Sequence, residues 1–350
     1  MRLVIHEWCC SGGLAGPDAA AVLGGEGDAE PLAREGRAMF QALAIDAVRD
    51  GGFEVAALVV DALAIDLPAA VERIVVRPGR EVESLVGAAR VADAAIVVAP
   101  ETADALASRV AAIRAAGGRA VAPGDAFIRV AADKQATIDA LAAAGVPVPA
   151  GRSLAAGEVW PEAFVRPGVR KARASAGCDG LVFIRPGDPP PRPATTATRI
   201  EALIAGTPVG VSCLIGPRGV LPVAALMQRF APEPPLTYVG AAPLDDSGRR
   251  ARATSLAWRA IEAILRRDRE PPAGWIGVDM ILGTRDDGLD DRVLEVNPRM
   301  TTSFVGLAAG APASLVRAML DVAEGRALDD RLPDHACTFT VVDAPVQPSP

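Results

Sequence analysis

The sequence predicts an α/β protein that begins with an open parallel sheet and continues into a mixed α+β region. Short apolar strand signals alternate with helical signals through the first third of the chain, which is typical of a parallel sheet with helices on both faces. After about Phe127 the pattern changes to proline-containing extended segments and pairs of neighbouring strands. We therefore expect a domain boundary near residue 127.

The elements before this boundary follow in the order strand, helix, strand. Met39, Phe40 and Leu43 lie on one face of the first long helix, which Gly51 and Gly52 end. The predicted strands are 2–6, 55–60, 94–99 and 119–122, and the predicted helices are 35–49 and 102–115.

Beyond the boundary, a helix over 133–144 is stopped by Gly145 and followed by an extended VPVPAG segment. The proline-rich run at 185–193 indicates a stiff exposed connection. The tail at 343–350 is predicted to be disordered. The predicted strands are 181–184, 208–215, 220–227, 275–282 and 292–297, with short strands around Val165 and Val169, and the predicted helices are 254–266 and 313–324.

Composition argues against several classes of function. The net charge of −7 over 350 residues is unlike that of a dedicated nucleic-acid binder, and no stretch approaches the roughly 20 apolar residues of a membrane helix. The N-terminus lacks the features of a signal peptide, and five scattered cysteines fit a reducing cytoplasm. With only His6 and His335, a histidine zinc site or a histidine-relay hydrolase is not expected.

Two of the 36 basic residues are lysines, Lys134 and Lys171, and the rest are arginines. Replacement of lysine by arginine is typical of a GC-rich coding bias. The two retained lysines are therefore candidates for a role that needs a compact ammonium group.

The strongest chemical signal is the strand WIGVDMIL followed by the strand VLEVNPRM. Because side chains alternate along a strand, Glu295 and Asn297 share one face, whereas Leu294 and Val296 are predicted to face the core. If the strands pair, Asp279 joins them, and three oxygen donors without an imidazole suit Mg²⁺. The alternative is a solvated sheet face ending in an Asn-Pro turn.

The segment LEVNPRM resembles the metal-binding motif of the ATP-grasp superfamily of carboxylate–amine ligases. The resemblance implies an ATP-grasp fold with an N-terminal open parallel α/β domain at 1–127, a lid subdomain at 128–197 and a C-terminal subdomain at 198–328. It also implies that Asp279, Glu295 and Asn297 bind the Mg²⁺ (or Mn²⁺) ions that accompany ATP.

Two lysines hold the nucleotide phosphates in that family, and both find a counterpart here. Lys134 lies in an Asp-Lys pair that opens a helix, and Lys171 opens KARASAGCDG, which resembles the family's glycine loop. Ala172 and Ser175 depart from its Pro and first Gly, and Arg166-Pro167 is an alternative start that requires an insertion. The structural alternative for Lys134 is an ordinary exposed helix residue, and for Lys171 it is a solvated strand end. The small loop residues that would approach phosphate are Ser175, Ala176, Gly177 and Gly180.

The segment RIEALIAGTPVGVS resembles the family's adenine-binding hinge. The resemblance assigns Glu201 to the hinge and places Leu203 and Ile204 near the base. Pro208 stands where many members carry a ribose-binding Glu, which leaves the ribose contacts open. The alternative is an ordinary helix end and turn.

The N-terminal segments HEWCCSGG and LAREGRAM, with PRMTTSFVGL near the other end, resemble the tyramine–glutamate ligase family of methanofuran biosynthesis and its bacterial relatives. Ser11 to Gly13 form either a backbone anion site or a plain strand-to-helix turn. Glu7 and Glu35 either recognise an amine or serve as capping and solvated residues.

The resemblance implies a cytoplasmic ATP-dependent ligase that joins a small-molecule carboxylate to an amine through an acyl phosphate, with Arg299 on the transferring group and ATP and Mg²⁺ bound. No nucleic-acid or membrane partner is expected, and a homodimer is one open possibility. The alternatives are another amino-acid or peptide ligase of the superfamily, and a nucleotide-binding regulatory module without ligase activity.

Overall fold

The fold was determined as a computed structural model. It describes residues 1–24, 29–161, 164, 167–175, 180–231, 236–328, 332 and 338–340. The predicted loop residues Ala176 and Gly177 and the predicted disordered tail at 343–350 lie outside these described residues.

The N-terminal region contains a four-stranded sheet with the order β3-β2-β1-β4. All its described pairings are parallel, with Leu3 of β1 opposite Val55 of β2 and Ala94 of β4, as the alternation of strands and helices predicts. Its strands are β1 Arg2–Glu7, β2 Glu54–Val59, β3 Glu72–Val75 and β4 Ala94–Val98, and its helices are α1 Ala19–Val22, α2 Glu30–Arg49, α3 Glu81–Ala89, α4 Ala105–Ala115 and α5 Asp125–Ala132.

Two differences from the predicted elements have simple physical causes. Strand β3 and helix α3 are missing from the prediction because β3, with the sequence ERIV, is a largely exposed edge strand without an apolar run. The predicted strand at 119–122 contributes a single bridge between Ala95 and Ala120. Strands β1, β2 and β4 are almost wholly buried, and their apolar runs are the reason that the sequence predicts them.

A second sheet of four antiparallel strands has the order β5-β8-β6-β7 and a small core of Leu154, Trp160, Ile184 and Ile200. We call it the lid sheet. It includes residues 198–202, beyond the predicted boundary at residue 197, because β8 pairs with both β5 and β6. The elements of this part are α6 Lys134–Ala143, β5 Gly151–Leu154, β6 Gly168–Ala172, β7 Val182–Ile184 and β8 Thr198–Ala202.

The C-terminal region is built on a six-stranded antiparallel sheet with the order β13-β12-β9-β10-β11-β14. The predicted pairing of 208–215 with 220–227 is confirmed by β9 and β10, and the predicted acid-bearing pair by β12 and β13. The elements are β9 Thr207–Gly216, β10 Gly219–Phe230, β11 Tyr238–Pro243, α7 Ser247–Leu265, β12 Gly274–Leu282, β13 Arg292–Asn297, α8 Ser303–Gly310, α9 Leu315–Ala323 and β14 Phe339–Thr340.

Helix α2 of the N-terminal region packs against α8 and α9 of the C-terminal region. Phe40 and Leu43 of α2 share one hydrophobic core with Phe304 and Leu315. At the end of the contact, the carboxylate of Asp46 accepts hydrogen bonds from Ser314 Oγ (2.8 Å) and Val316 N (2.8 Å). The two regions are therefore joined by a core as well as by the chain.

Within the described residues, no single helix has both the length and the apolar character to cross a bilayer; by those two measures alone, the pair α8 and α9, bent by 104°, passes as a broken span.

Candidate active site

The predicted metal-binding residues come together on the paired strands β12 and β13. Asp279 and Glu295 are register partners, and Gly277 is the partner of Asn297. Asn297 Nδ2 donates to Asp279 Oδ2 (2.9 Å), and Gln228 Nε2 of β10 donates to Asp279 Oδ1 (2.8 Å). The prediction that the three side chains converge is therefore confirmed in geometry.

One part of the strand prediction is wrong. A β-bulge after Asp279 places Met280 opposite Val293 and interrupts the alternation at Leu294. As a result Val293 and Val296 both lie in the core, whereas Leu294 lines the cavity beside Glu295. The bulge directs the Glu295 side chain to the cavity without exposing the core residues on either side of it.

The two carboxylates oppose each other electrostatically. Burial, and then the neighbouring charge of Glu295, raises the pKa of Asp279 to about 7. Burial also opposes ionisation of Glu295, but the charges of Lys134 and Lys171 together keep its pKa below the usual value. Two buried carboxylates in this relationship gain most from a cation placed between them.

The donor set limits which cation fits. Among the described residues no group of three His, Cys, Asp or Glu side chains could hold a metal, so the site depends on two carboxylates and an amide. Asn297 uses its amide nitrogen on Asp279 and has its amide oxygen left for a cation. An all-oxygen set with few protein ligands fits Mg²⁺ or Mn²⁺, which complete their shells with water and phosphate oxygens.

Lys134 is the first residue of α6, and Asp133 is the helix N-cap, accepting from Gln135 N and Ala136 N. Lys134 Nζ lies 3.0 Å from Glu295 Oε2 and donates to the carbonyl of Ser175 (2.8 Å). Burial works against its charge, but Glu295 outweighs burial and raises the pKa of Lys134. The side chain is thus a buried ammonium, and the exposed-helix alternative is wrong.

Lys171 lies within β6 and is 5% exposed, which excludes the alternative of a solvated strand end. Its Nζ is 2.7 Å from Glu201 Oε1 on β8 and donates to the carbonyl of Leu294 (3.4 Å). Glu201 also pairs with Arg199 through its other oxygen (3.0 Å). Both lysines therefore contact β13, Lys134 through Glu295 and Lys171 through Leu294. Lys134 extends from α6, and Lys171 extends from the lid sheet.

The loop after Lys171 is only partly described. Ser175 lines the cavity and uses its carbonyl to accept from Lys134, whereas Gly180 is exposed, with φ 68°, and does not line it. The other two predicted loop residues, and the alternative lysine-equivalent Arg166, lie outside the described residues.

A cavity of about 350 Å³ connects these groups. Its apolar end is bounded by the predicted hinge residues Glu201, Leu203 and Ile204, and by Val169 and Phe183 of the lid sheet. The predicted hinge segment is strand β8 followed by a loop, so the alternative of a helix end is wrong. Its polar end holds the acidic strand pair, both lysines, Arg299 and Glu35.

Arg299 reaches this polar end and is held there by Glu101 of the N-terminal region. Its Nε lies 2.9 Å from Glu101 Oε1, and its Nη1 donates to the carbonyl of Met300 (3.1 Å). Burial opposes its charge, but Glu101 outweighs it and raises the pKa of Arg299. The remaining guanidinium nitrogen is available to an anion in the cavity.

The glycine segment near the N-terminus has the bonding of a turn, and two of its three amides are already used within the chain. Ser11 N and Gly13 N donate to the carbonyls of Glu7 and Trp8, and Cys10 N donates to the carboxylate of Glu7 (2.8 Å). Glu7 is buried at the turn, so it has a structural role, and the plain-turn alternative is correct. Glu35, in contrast, lines the cavity.

The sequence comparisons agree with this geometry. Residues 131–303 match the family model of the ATP-grasp domain. The fold is similar to that of a protein from Archaeoglobus fulgidus assigned to the ATP-grasp superfamily, with a TM-score of 0.66 and 19% identity over 96% of this chain and 90% of the other. This protein has the ATP-grasp fold. No curated protein sequence matches the chain.

Other solved structures resemble it to a similar degree. The L-amino acid ligase from Bacillus licheniformis has a TM-score of 0.63 and 16% identity, covering 95% of this chain and 77% of the other. The N5-carboxyaminoimidazole synthetase from Staphylococcus aureus, complexed with ADP, has a TM-score of 0.64 and 13% identity, covering 97% and 80%. At these identities the likeness establishes the fold.

The sequence did not predict two residues of the candidate site. Glu101 lies three residues after the end of the buried parallel strand β4, and a carboxylate just beyond the carboxyl end of such a strand is a recognisable signal. Gln228 interrupts the apolar run of β10, and its contact with Asp279 depends on Gly210, which lies opposite Asp279 on β9. A Cβ at Gly210 would stand 3.2 Å from Gln228 Nε2.

Proposed function

We propose that the protein is an ATP-dependent carboxylate–amine ligase that uses Mg²⁺ or Mn²⁺ and forms an amide through an acyl phosphate. The observation that carries this proposal is the meeting of two buried lysines and two opposed carboxylates on one cavity with an apolar end. A nucleotide fits this arrangement, with its base in the apolar end and its phosphates between the charged groups.

Different residues of the cavity have different proposed roles in phosphoryl transfer. Lys134 and Lys171 are placed to hold phosphate oxygens, and Asp279, Glu295 and Asn297 to hold the metal. The metal, when bound, supplies positive charge that offsets the charge developing on the γ-phosphoryl group. Arg299, fixed by Glu101, stabilises the acyl phosphate at the same end.

The proposed reaction has two steps. A carboxylate oxygen of the first substrate attacks the γ-phosphorus, and the bond to ADP breaks, which leaves an acyl phosphate. The amine nitrogen of the second substrate then attacks the carbonyl carbon, and phosphate leaves with the electrons of the carbon–oxygen bond as the nitrogen loses a proton.

No protein nucleophile is needed for this route, and the described cysteines are poor candidates for one. Cys9, Cys10 and Cys213 are buried and unpaired, and burial raises the pKa of each thiol. Unpaired buried thiols are also compatible with the cytoplasmic location that we propose.

For the substrates, we propose a reaction of the tyramine–glutamate ligase kind, in biosynthesis of a one-carbon coenzyme. The support is that two segments carrying this resemblance meet at the cavity. Thr302 Oγ1 of PRMTTS donates to Glu35 Oε2 of LAREG (3.2 Å). The resemblance to a solved L-amino acid ligase also supports an amino-acid carboxylate.

The test measures ADP formation with L-glutamate, L-aspartate and glycine as carboxylates, with and without tyramine, and at zero and millimolar Mg²⁺. Hydroxylamine traps the acyl phosphate as a hydroxamate. The proposal expects ADP formation and hydroxamate that require both the carboxylate and the metal. ATP binding without either product supports a nucleotide-binding regulatory module, and a different carboxylate preference supports another ligase of the superfamily.

A further inference from the structure

The carboxylates that line the cavity are not equivalent. Three of them are held by cationic or amide groups, as described above: Glu295 by Lys134, Glu201 by Lys171, and Asp279 by Gln228 and Asn297. The fourth, Glu35 of α2, accepts a hydrogen bond from the neutral hydroxyl of Thr302. Across the described ranges, no salt bridge reaches Glu35.

The surroundings of Glu35 favour a cation there. Burial raises the pKa of Glu35, and the nearby charge of Arg299 is the largest effect that opposes it. Arg299 does not pair with Glu35, because its guanidinium lies against Glu101. A carboxylate that has little water and no paired cation gains most from a cationic ligand.

Tyr238 connects this position with the metal site. Burial, followed by the charges of Asp279 and Glu35, raises the pKa of its hydroxyl. Tyr238 lines the same cavity as both carboxylates. Glu35 and Arg299 also line that cavity, so a group bound at Glu35 lies in the space where the acyl phosphate is proposed to form.

We propose that Glu35 binds the amino group of the amine substrate as its ammonium ion and accepts one proton from it, so that the neutral nitrogen can attack the acyl phosphate. Glu35 would in this way select a cationic primary amine as the acceptor. Glu35 comes from the N-terminal region, so that region supplies amine specificity while the rest of the cavity binds the nucleotide and metal. This assignment rests on the ligase function proposed above, and it adds the residue that chooses the second substrate.

The test separates activation of the carboxylate from use of the amine. Hydroxylamine is uncharged at neutral pH, so hydroxamate formation from ATP and L-glutamate does not need a cation-binding residue. Amide formation is measured with tyramine, putrescine and ethanolamine, which are protonated at this pH. The variant Glu35→Gln keeps an oxygen that can accept from Thr302, and thermal unfolding checks that it folds.

We expect Glu35→Gln to raise the KM for the best amine of this panel at least tenfold, with hydroxamate formation and the KM for ATP within twofold of wild type. Glu35→Asp should recover part of the amine affinity. Glu101→Gln is the contrasting variant, because Glu101 acts through Arg299 and should lower hydroxamate and amide formation together.

The possible results are distinct. An unchanged amine KM in Glu35→Gln, or a parallel fall of hydroxamate and amide, overturns the assignment of Glu35. A wild type that forms hydroxamate but uses none of the three amines overturns the cationic-amine class. A wild type that forms no hydroxamate with any of the three carboxylates refutes the ligase function itself.

Discussion

Asp279 and Glu295 face each other as register partners on β12 and β13, and burial together with this opposition holds the pKa of Asp279 near neutrality, at about 7. A cation bound between them removes the repulsion, so the relationship ties metal binding to catalysis. We expect Asp279→Asn and Glu295→Gln each to reduce ATP turnover by at least a hundredfold with the fold retained.

The control for that pair is Asp287→Asn, in the exposed turn that joins the same strands, which should keep wild-type turnover. Thermal unfolding with and without Mg²⁺ and ADP supplies the second measurement. Wild type should be stabilised by the pair of ligands, and the two site variants should not. Normal turnover in both site variants would contradict the metal assignment.

Lys171 is a buried cation held between two oxygen partners. The residue is 5% exposed, and its ammonium lies between the Glu201 carboxylate and the Leu294 carbonyl. We expect Lys171→Arg to raise the KM for ATP at least tenfold, since a planar guanidinium cannot occupy the place of a compact ammonium without displacing these partners. Steady-state kinetics with varied ATP is the measurement.

The matched exchange is Arg170→Lys at the preceding position of β6, where the side chain reaches the carbonyl of Arg192 outside the cavity. It should leave the KM for ATP within twofold of wild type. Equal effects of the two exchanges would mean that Lys171 has no special role in binding phosphate.

Gly36 is required because Glu7 occupies the space beside it. A Cβ at Gly36 would lie 2.3 Å from Glu7 Oε1, and Glu7 cannot move away without losing its bond to Cys10 N. We expect Gly36→Ala to lower the free energy of unfolding by about 1–3 kcal/mol, the usual cost of overpacking. Denaturant unfolding measures it.

Gly87 offers the helical control, because an added Cβ there has nothing within 4 Å. Gly87→Ala should raise the free energy of unfolding by about 0.5–1 kcal/mol through helix propensity. The prediction fails if the two substitutions change stability in the same direction.

Glu81 is a buried carboxylate that the protein holds ionised. Burial opposes its charge, but hydrogen bonds from His6 and Arg109 outweigh burial and lower its pKa from 4.5 to about 2. Between pH 4.5 and 2 the unfolded chain therefore binds more protons at this residue than the folded chain does. The stabilisation that Glu81 contributes is fully present above about pH 4.5 and is lost as the pH falls toward 2. The loss amounts to about 3 kcal/mol.

The measurement is urea unfolding at a series of pH values for Glu81→Gln and for Glu83→Gln. Glu83 lies on the same helix with its side chain 69% exposed, paired with Arg80. Only Glu81→Gln should flatten the acid limb of the stability profile. A wild-type profile that stays level between pH 4.5 and 2 would show that Glu81 is not held ionised.

The local sequence pattern was enough to predict the acid-bearing strand pair, apart from the bulge at Leu294. The acid-bearing strands are long, apolar and consecutive, so their pairing and the meeting of Asp279 with Asn297 follow from strand geometry. The bulge at Leu294 could not be read in this way, since it depends on how β13 packs against its neighbour. Contacts such as Glu101 with Arg299 join distant parts of the chain, and no local spacing predicts them.

The glycines near the N-terminus show what a local pattern leaves open. A short Ser-Gly-Gly segment permits an anion site, but it does not say whether its amides are already bonded. Here the amides of Ser11 and Gly13 donate to the carbonyls of Glu7 and Trp8, and the amide of Cys10 donates to the Glu7 carboxylate. These bonds depend on the folded turn, so the sequence alone does not predict them. Small residues in a loop therefore indicate that the backbone can adopt unusual conformations. Whether its amides can bind an anion depends on whether they already have hydrogen-bond partners in the protein.

The bond between Asp46 and Ser314 spans 268 positions of the chain, and this has a consequence for synthesis on the ribosome. Helix α2 emerges well before Phe304 and Leu315, which share its hydrophobic core. The apolar face of α2 therefore stays uncovered while the intervening chain is made, and during that time it is a natural target for chaperones that protect growing chains.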